Sequence, residues 1–133
     1  MKRRIFLRTL LGGLAASGLG QLHAKIPSRK ILLLESPLAG YQYHRADGVW
    51  PFLRVGEALR LVREPNNPHD PNAIAVYFRN DRLGYVPRNE NRALAVMMDH
   101  GEKIRGHVTR LINDADPWRR LRFRVELIAG LLR

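Results

Sequence analysis

The residues best equipped for chemistry crowd into one stretch, Arg63-Glu64-Pro65-Asn66-Asn67-Pro68-His69-Asp70-Pro71-Asn72, which puts two carboxylates, an imidazole, a guanidinium and three amides into ten residues. Three prolines fix φ there, and Asn and Asp side chains bond to backbone amides one or two residues away, so the stretch reads as a stiff loop. A stiff polar loop beside apolar strands can present groups such as Asn67 and Asp70 to a ligand, and it can equally serve as a plain connector. His69 and Asp70 are adjacent in a proline-flanked loop, where neighbouring side chains are expected to point apart, so they are not expected to form a hydrolytic pair. His44, His69, His100 and His107 match no ligand spacing and the chain has no cysteine, so no metal site is expected. No glycine-rich phosphate loop occurs either, and no cofactor is implied. The expectation is a protein that binds, not an enzyme.

The elements around this loop read as β. Lys30 to Glu35 is a short apolar run, and Glu57 to Glu64 alternates apolar with polar. Ala73 to Phe78 is β-branched and aromatic, with a tight turn at Asn80-Asp81 before Arg82 to Val86 pairs back. Between Arg88 and His100 the period changes: Ala93, Leu94, Met97 and Met98 share one helical face, with Asn89 or Asn91 as the cap and Gly101 as the stop. Lys103 to Ile112 and Arg119 to Ile128 alternate again, and a short second helix fits near Trp50 to Val55. The fold class is mainly β (α+β), a small, partly open six-stranded β-barrel with one or two short helices.

The strand-loop-strand LRLVREPNNPHDPNAIAV at 59–76, the strand Arg82-Leu83-Gly84-Tyr85-Val86-Pro87, and the upstream Leu38-Ala39-Gly40-Tyr41-Gln42-Tyr43 closely resemble the core signature of the HIRAN domain. The resemblance covers residues 31–128. It implies a small β-barrel that reads single-stranded DNA carrying a free 3′ end, with Tyr43 packing against the terminal nucleotide and Asp70 holding the 3′-hydroxyl. Both roles are chemically sound: an aromatic face stacks on any base, and an ionised carboxylate accepts from a hydroxyl. Gln42 replaces the arginine that the family uses on phosphate, and His44 replaces a second tyrosine. Arg45, Arg63, Arg88 and Arg92 are the cations able to compensate, Asn67 belongs to the same loop, and Trp118 stands where the family often places an aromatic wall. Each of these side chains also has a plain structural reading, as core edge, loop cap or solvated surface.

The chain carries 23 Lys and Arg against 12 Asp and Glu, a formal charge of +11. Residues 1–24 contain no acid and four of the cations, so the remainder keeps +7. A field of that sign attracts nucleic acid, anionic lipid or acidic glycan. Residues 1–24 have the layout of an export signal: Arg3-Arg4-Ile5-Phe6-Leu7-Arg8 fits the twin-arginine pattern, and a Gly-diluted apolar run leads to a cut after Ala24. That run, from Leu10 to Leu22, is too short for a membrane helix of about 20 residues. The expected organisation is a signal at 1–24, a linker at 25–30, the domain at 31–128 and a tail at 129–133. The expected partners are single-stranded DNA or another polyanion, and the twin-arginine translocase through Arg3, Arg4, Phe6 and Leu7. Two functions follow: a stand-alone nucleic-acid-binding module for single strands or free 3′ ends, or an exported module that binds an acidic envelope polymer or a protein. The location is periplasmic or secreted where the leader is used, and cytoplasmic where it is not.

Overall fold

The computed structural model describes residues 28–43 and 46–130. The twin-arginine motif, His44 and Arg45 lie outside the described residues. Six strands form one antiparallel sheet in the order β1-β6-β5-β2-β3-β4, with β1 at Ser28–Pro37, β2 at Ala58–Arg63, β3 at Ile74–Phe78, β4 at Asp81–Tyr85, β5 at Ile104–Leu111 and β6 at Leu121–Gly130. Its outer strands, β1 and β4, are not paired with each other, so the sheet is mainly β architecture left open.

Alternation sets the core. Leu121, Phe123 and Val125 of β6 are buried while Arg122, Arg124 and Glu126 face the other way. Ile74, Ala75, Val76 and Phe78 make β3 a nearly continuous buried run. Burying a side chain such as Phe123 contributes about 2–3 kcal/mol, so these positions dominate the stability.

The segment after β1 ties back to the far edge of the sheet. Ala39 and Tyr85 exchange backbone hydrogen bonds of 2.9 and 2.8 Å, an isolated bridge between β1's continuation and β4. Gly84 makes this possible, because a Cβ there would collide with the Ala39 carbonyl oxygen. The next residues form a helical turn at Tyr41–Tyr43, helix α1 at Ala46–Val49 and a further turn at Trp50–Phe52. Tyr41 is buried and donates its hydroxyl to Asp47 Oδ1 at 3.0 Å; burial, aided by that bond, pushes its pKa up to about 12. The Arg120 guanidinium lies 5.3 Å from the Tyr41 ring centroid and 4.5 Å from that of Trp50, which fastens the segment to the start of β6.

Five details differ from the sequence reading. β1 takes in Ser28 and Arg29, read as linker, because ladder pairing at a sheet margin does not need apolar residues. Only the helical turn beginning at Trp50 is anticipated by the sequence; those before it are not. The β3–β4 turn is Arg79-Asn80, with Phe78 opposite Asp81 and Arg79 at φ 55. Helix α2 starts at Arg92 and runs to Asp99, since Pro87 to Glu90 first close a turn of their own. Finally, Arg119 and Arg120 belong to a short helix, α3 (Pro117–Arg120), where Asp116 caps the Trp118 amide at 3.1 Å and proline occupies the first turn.

Candidate functional site

The loop between β2 and β3 is braced from within. The Glu64 amide donates to the Ala73 carbonyl at 2.9 Å and closes it. Inside, Asn67 Oδ1 accepts from the His69 amide at 2.9 Å, and Asp70 Oδ1 accepts from the Asn72 amide at 2.9 Å. Two successive side-chain-to-backbone turns, with prolines between them, leave the loop little freedom.

Beneath the loop lies a polar network centred on Glu64. Its Oε1 accepts from Tyr85 Oη at 2.8 Å and from Asn67 Nδ2 at 3.0 Å, and Arg82 donates to Tyr85 Oη at 3.1 Å. Burial works to raise the Glu64 pKa, but the bonds from Asn67 and Tyr85 and the Arg82 charge outweigh it and hold the group below its ordinary range.

This loop, the end of β4 and the residues leading into α2 enclose a cleft of about 470 Å³. Asn67, His69, Asp70, Tyr85, Arg88 and Asn91 line it, with Ala39 from the bridging segment. Asp70 is its anionic centre. Buried Asn91, only 2% exposed, donates Nδ2 to Asp70 Oδ2 at 2.7 Å. Burial pushes the Asp70 pKa up, and the bonds from Asn72 and Asn91, with the charges of Arg88 and Arg63, push it further down, so the net shift is below the usual carboxylate range. Each carboxylate oxygen has one protein donor and keeps acceptor capacity for a ligand.

The cleft brings Asn67, Asp70 and Arg88 together. Arg63 plays another part: its guanidinium makes four hydrogen bonds, to Asp99 at 2.9 and 3.2 Å, to the Ala73 carbonyl at 2.7 Å and to the Pro71 carbonyl at 3.0 Å. It clamps the loop to the end of α2. Gln42 is exposed in the turn that Tyr43 closes, three residues past the bridge at Ala39. Trp118 is half-exposed on α3 and is not among the residues lining the cleft. Arg92 borders a shallower hollow beside α2. Among the described residues, no three His, Asp or Glu side chains are grouped to hold a metal ion, and no helix is long and apolar enough to cross a membrane.

Sequence reasoning missed Tyr85 and Asn91 as cleft residues. Tyr85 sits in an apolar strand and shows nothing of its hydroxyl's role. Asn91 occupies the cap position of α2 as the pattern suggests, but its side chain makes no cap bond and reaches Asp70 instead, 21 residues away in sequence.

A model of the HIRAN domain family matches residues 31–129. The fold is similar to that of a protein from Lactobacillus plantarum, with a TM-score of 0.67 and 30% identity over 77% of this chain and 99% of that one. It is also similar to the HIRAN domain of human HLTF, with a TM-score of 0.60 and 28% identity over 75% of this chain and 79% of that one. No curated protein sequence matches significantly.

Proposed function

Because the chain belongs to the HIRAN domain family, we propose that it is a nucleic-acid-binding module whose cleft receives the free 3′ end of a single DNA strand. The observation that carries this reading is Asp70, ionised, buttressed by Asn72 and Asn91, and set in a cleft beside Arg88. A fixed carboxylate accepts a hydrogen bond from a terminal hydroxyl and repels a terminal phosphate. At about 4 Å such repulsion is worth roughly 1–4 kcal/mol, depending on local dielectric, so a preference for the hydroxyl end of at least about fivefold is expected. Arg88 supplies a cation for the adjoining phosphodiester, which offsets the loss of charge at Gln42. His69 and Tyr85 line the cleft with Asp70 and are the rings available to the last sugar and base.

Binding without catalysis is supported by the same electrostatics. Glu64 and Asp70 are both held below the ordinary carboxylate range, whereas a general acid or base works best with a pKa near the operating pH. The test is fluorescence anisotropy with single-stranded oligonucleotides ending in a 3′-hydroxyl or a 3′-phosphate. Tighter binding of the hydroxyl form, lost in Asp70→Asn, is the expected result; equal binding of both forms by the unaltered protein rules the end-reading out.

The Arg3-Arg4-Ile5-Phe6-Leu7-Arg8 motif supports a second reading, in which the module is exported and meets an acidic envelope polymer, a protein partner or extracellular DNA. Cell fractionation decides it: a shortened periplasmic form that disappears in Arg3→Lys/Arg4→Lys is expected, and a full-length cytoplasmic protein eliminates it.

A further inference from the structure

The Arg-rich run from Arg119 to Arg124 has no part in the cleft. It begins on α3 and continues along β6, where the buried Leu121 and Phe123 turn Arg122 and Arg124 onto the opposite face. In the β5–β6 ladder, Arg124 stands across from His107 and Arg122 across from Arg110. The ladder slips between Val108 and Arg110, so Thr109 is an extra residue at that point. Bulges of this kind re-aim side chains, and here the result is two arginines directly opposed.

Like charges opposite each other destabilise a strand pair, and the other arginines of α3 and β6 have partners. Arg124 meets Glu35 at 3.1 Å, Arg119 lies 3.9 Å from Asp114, and Arg120 is stacked on Tyr41 and Trp50. The neighbouring acid on the ladder, Glu126, is engaged by His107 at 3.1 Å. Among the described residues, Arg110 and Arg122 have no hydrogen bond, ion pair or ring contact. Two opposed guanidiniums are both donors, and a phosphate, with several acceptor oxygens, satisfies them together and cancels the repulsion.

We propose that Arg110 and Arg122 form a second phosphate-contacting site that grips the phosphodiester backbone of a nucleic acid away from its end. The site rests on the nucleic-acid reading above and deepens it. β5 and β6 lie in one half of the sheet order, while the cleft is built around β3 and β4 in the other, so a ligand that reaches both is a polymer rather than a small anion.

The test uses the full chain and a single-stranded oligonucleotide of about 20 nucleotides, titrated by anisotropy between about 50 and 200 mM salt. Each phosphate contact on a single strand contributes about 0.7 to the slope of log affinity against log salt. Arg110→Ala/Arg122→Ala is expected to shallow that slope by about 1.4, to weaken binding several-fold at the low-salt end, and to leave the ratio of 3′-hydroxyl to 3′-phosphate binding unchanged. Arg110→Lys/Arg122→Lys restores the slope. Thermal melting should show no loss of Tm in the alanine variant, because a repulsive pair has been removed. An unchanged slope overturns the site, whether or not ends are discriminated. A slope that falls in a protein blind to the end chemistry keeps this site and removes the cleft reading instead. Binding of phosphatidylserine vesicles through the same two arginines, with no binding of the oligonucleotide, shows the ligand class to be wrong.

Discussion

The loop between β2 and β3 and the ribbon of β5 and β6 both carry arginines, and they use them in opposite ways. Arg63 gives four hydrogen bonds to its own protein and holds Pro71, Ala73 and Asp99 in place. Arg110 and Arg122 face each other with no partner among the described residues. The loop's fixed polar groups surround two ionised acids, Glu64 and Asp70, whereas the ribbon presents positive charge with little fixed geometry. In nucleic-acid recognition these are separable tasks: backbone contacts supply affinity and position, and fixed polar groups supply discrimination. A formal charge of +11 says nothing about which cations are free, and the loop shows how an arginine near a binding cleft can be wholly structural.

The sharpest way to break the loop side of this contrast is Gly84→Ala. The new methyl group meets the backbone oxygen of Ala39, which cannot swing aside like a side chain. Overpacking of this kind costs about 1–3 kcal/mol, and on a domain of about 100 residues each kcal/mol lowers Tm by roughly 4–8 °C. Differential scanning calorimetry should show the drop, and the 3′-hydroxyl preference should fall with it, since Ala39 lines the cleft.

Next in size is a pair of identical substitutions placed in the two regions. Arg63→Ala removes bonds to two loop carbonyls and to a carboxylate that is half-exposed; after discounting the latter for solvent screening it should cost about 2 kcal/mol. Its salt slope for DNA should not move. Arg122→Ala should reverse both results, leaving stability intact and shallowing the slope by about 0.7. If Arg63→Ala changes the slope and not the stability, the division between the two regions is wrong.

The same contrast explains what the sequence could reveal. Strands were legible because alternation in LRFRVEL and the buried run IAVYF leave a periodic trace, and Gly101, at φ 83, stops α2 as the pattern predicts. The stiffness of the loop was legible because proline and Asx chemistry are local. Helical turns of three or four residues are too short to leave a period, so those at Tyr41–Tyr43 and Ala46–Val49 went unread, and Asp116-Pro117 masked a turn inside an apparent strand. The roles of Arg63, Asn91 and Arg110 depend on partners between 8 and 36 residues away, or on a one-residue slip in a ladder. No single position announces such facts.

Asp70→Asn probes the cleft with a smaller change. The amide keeps an oxygen for the Asn72 backbone, while its NH2 faces Asn91, so stability should drop by only about 1 kcal/mol. The 3′-hydroxyl preference should nevertheless vanish, because the charge that repels a terminal phosphate has gone. A variant that still prefers the hydroxyl end shows that shape, not charge, reads the terminus.

Acid should separate the regions most gently. Glu64, Asp70 and Asp99 all have folded pKa values below their ordinary ones: bonds and charges outweigh burial for the first two, and the Arg63 bond dominates for Asp99. A depressed folded pKa means a stabilising contribution that is complete above the unfolded value of about 4 and is lost as pH falls through the folded value. These three groups brace the loop from below, from within and through the Arg63 clamp. Between about pH 4 and pH 2, hydrogen exchange should therefore lose protection first at the amides of Glu64, Asn67, His69, Asn72 and Ala73, while the β5–β6 ladder amides keep theirs until global unfolding. Protection lost simultaneously in both regions would mean that the loop has no stability of its own to lose.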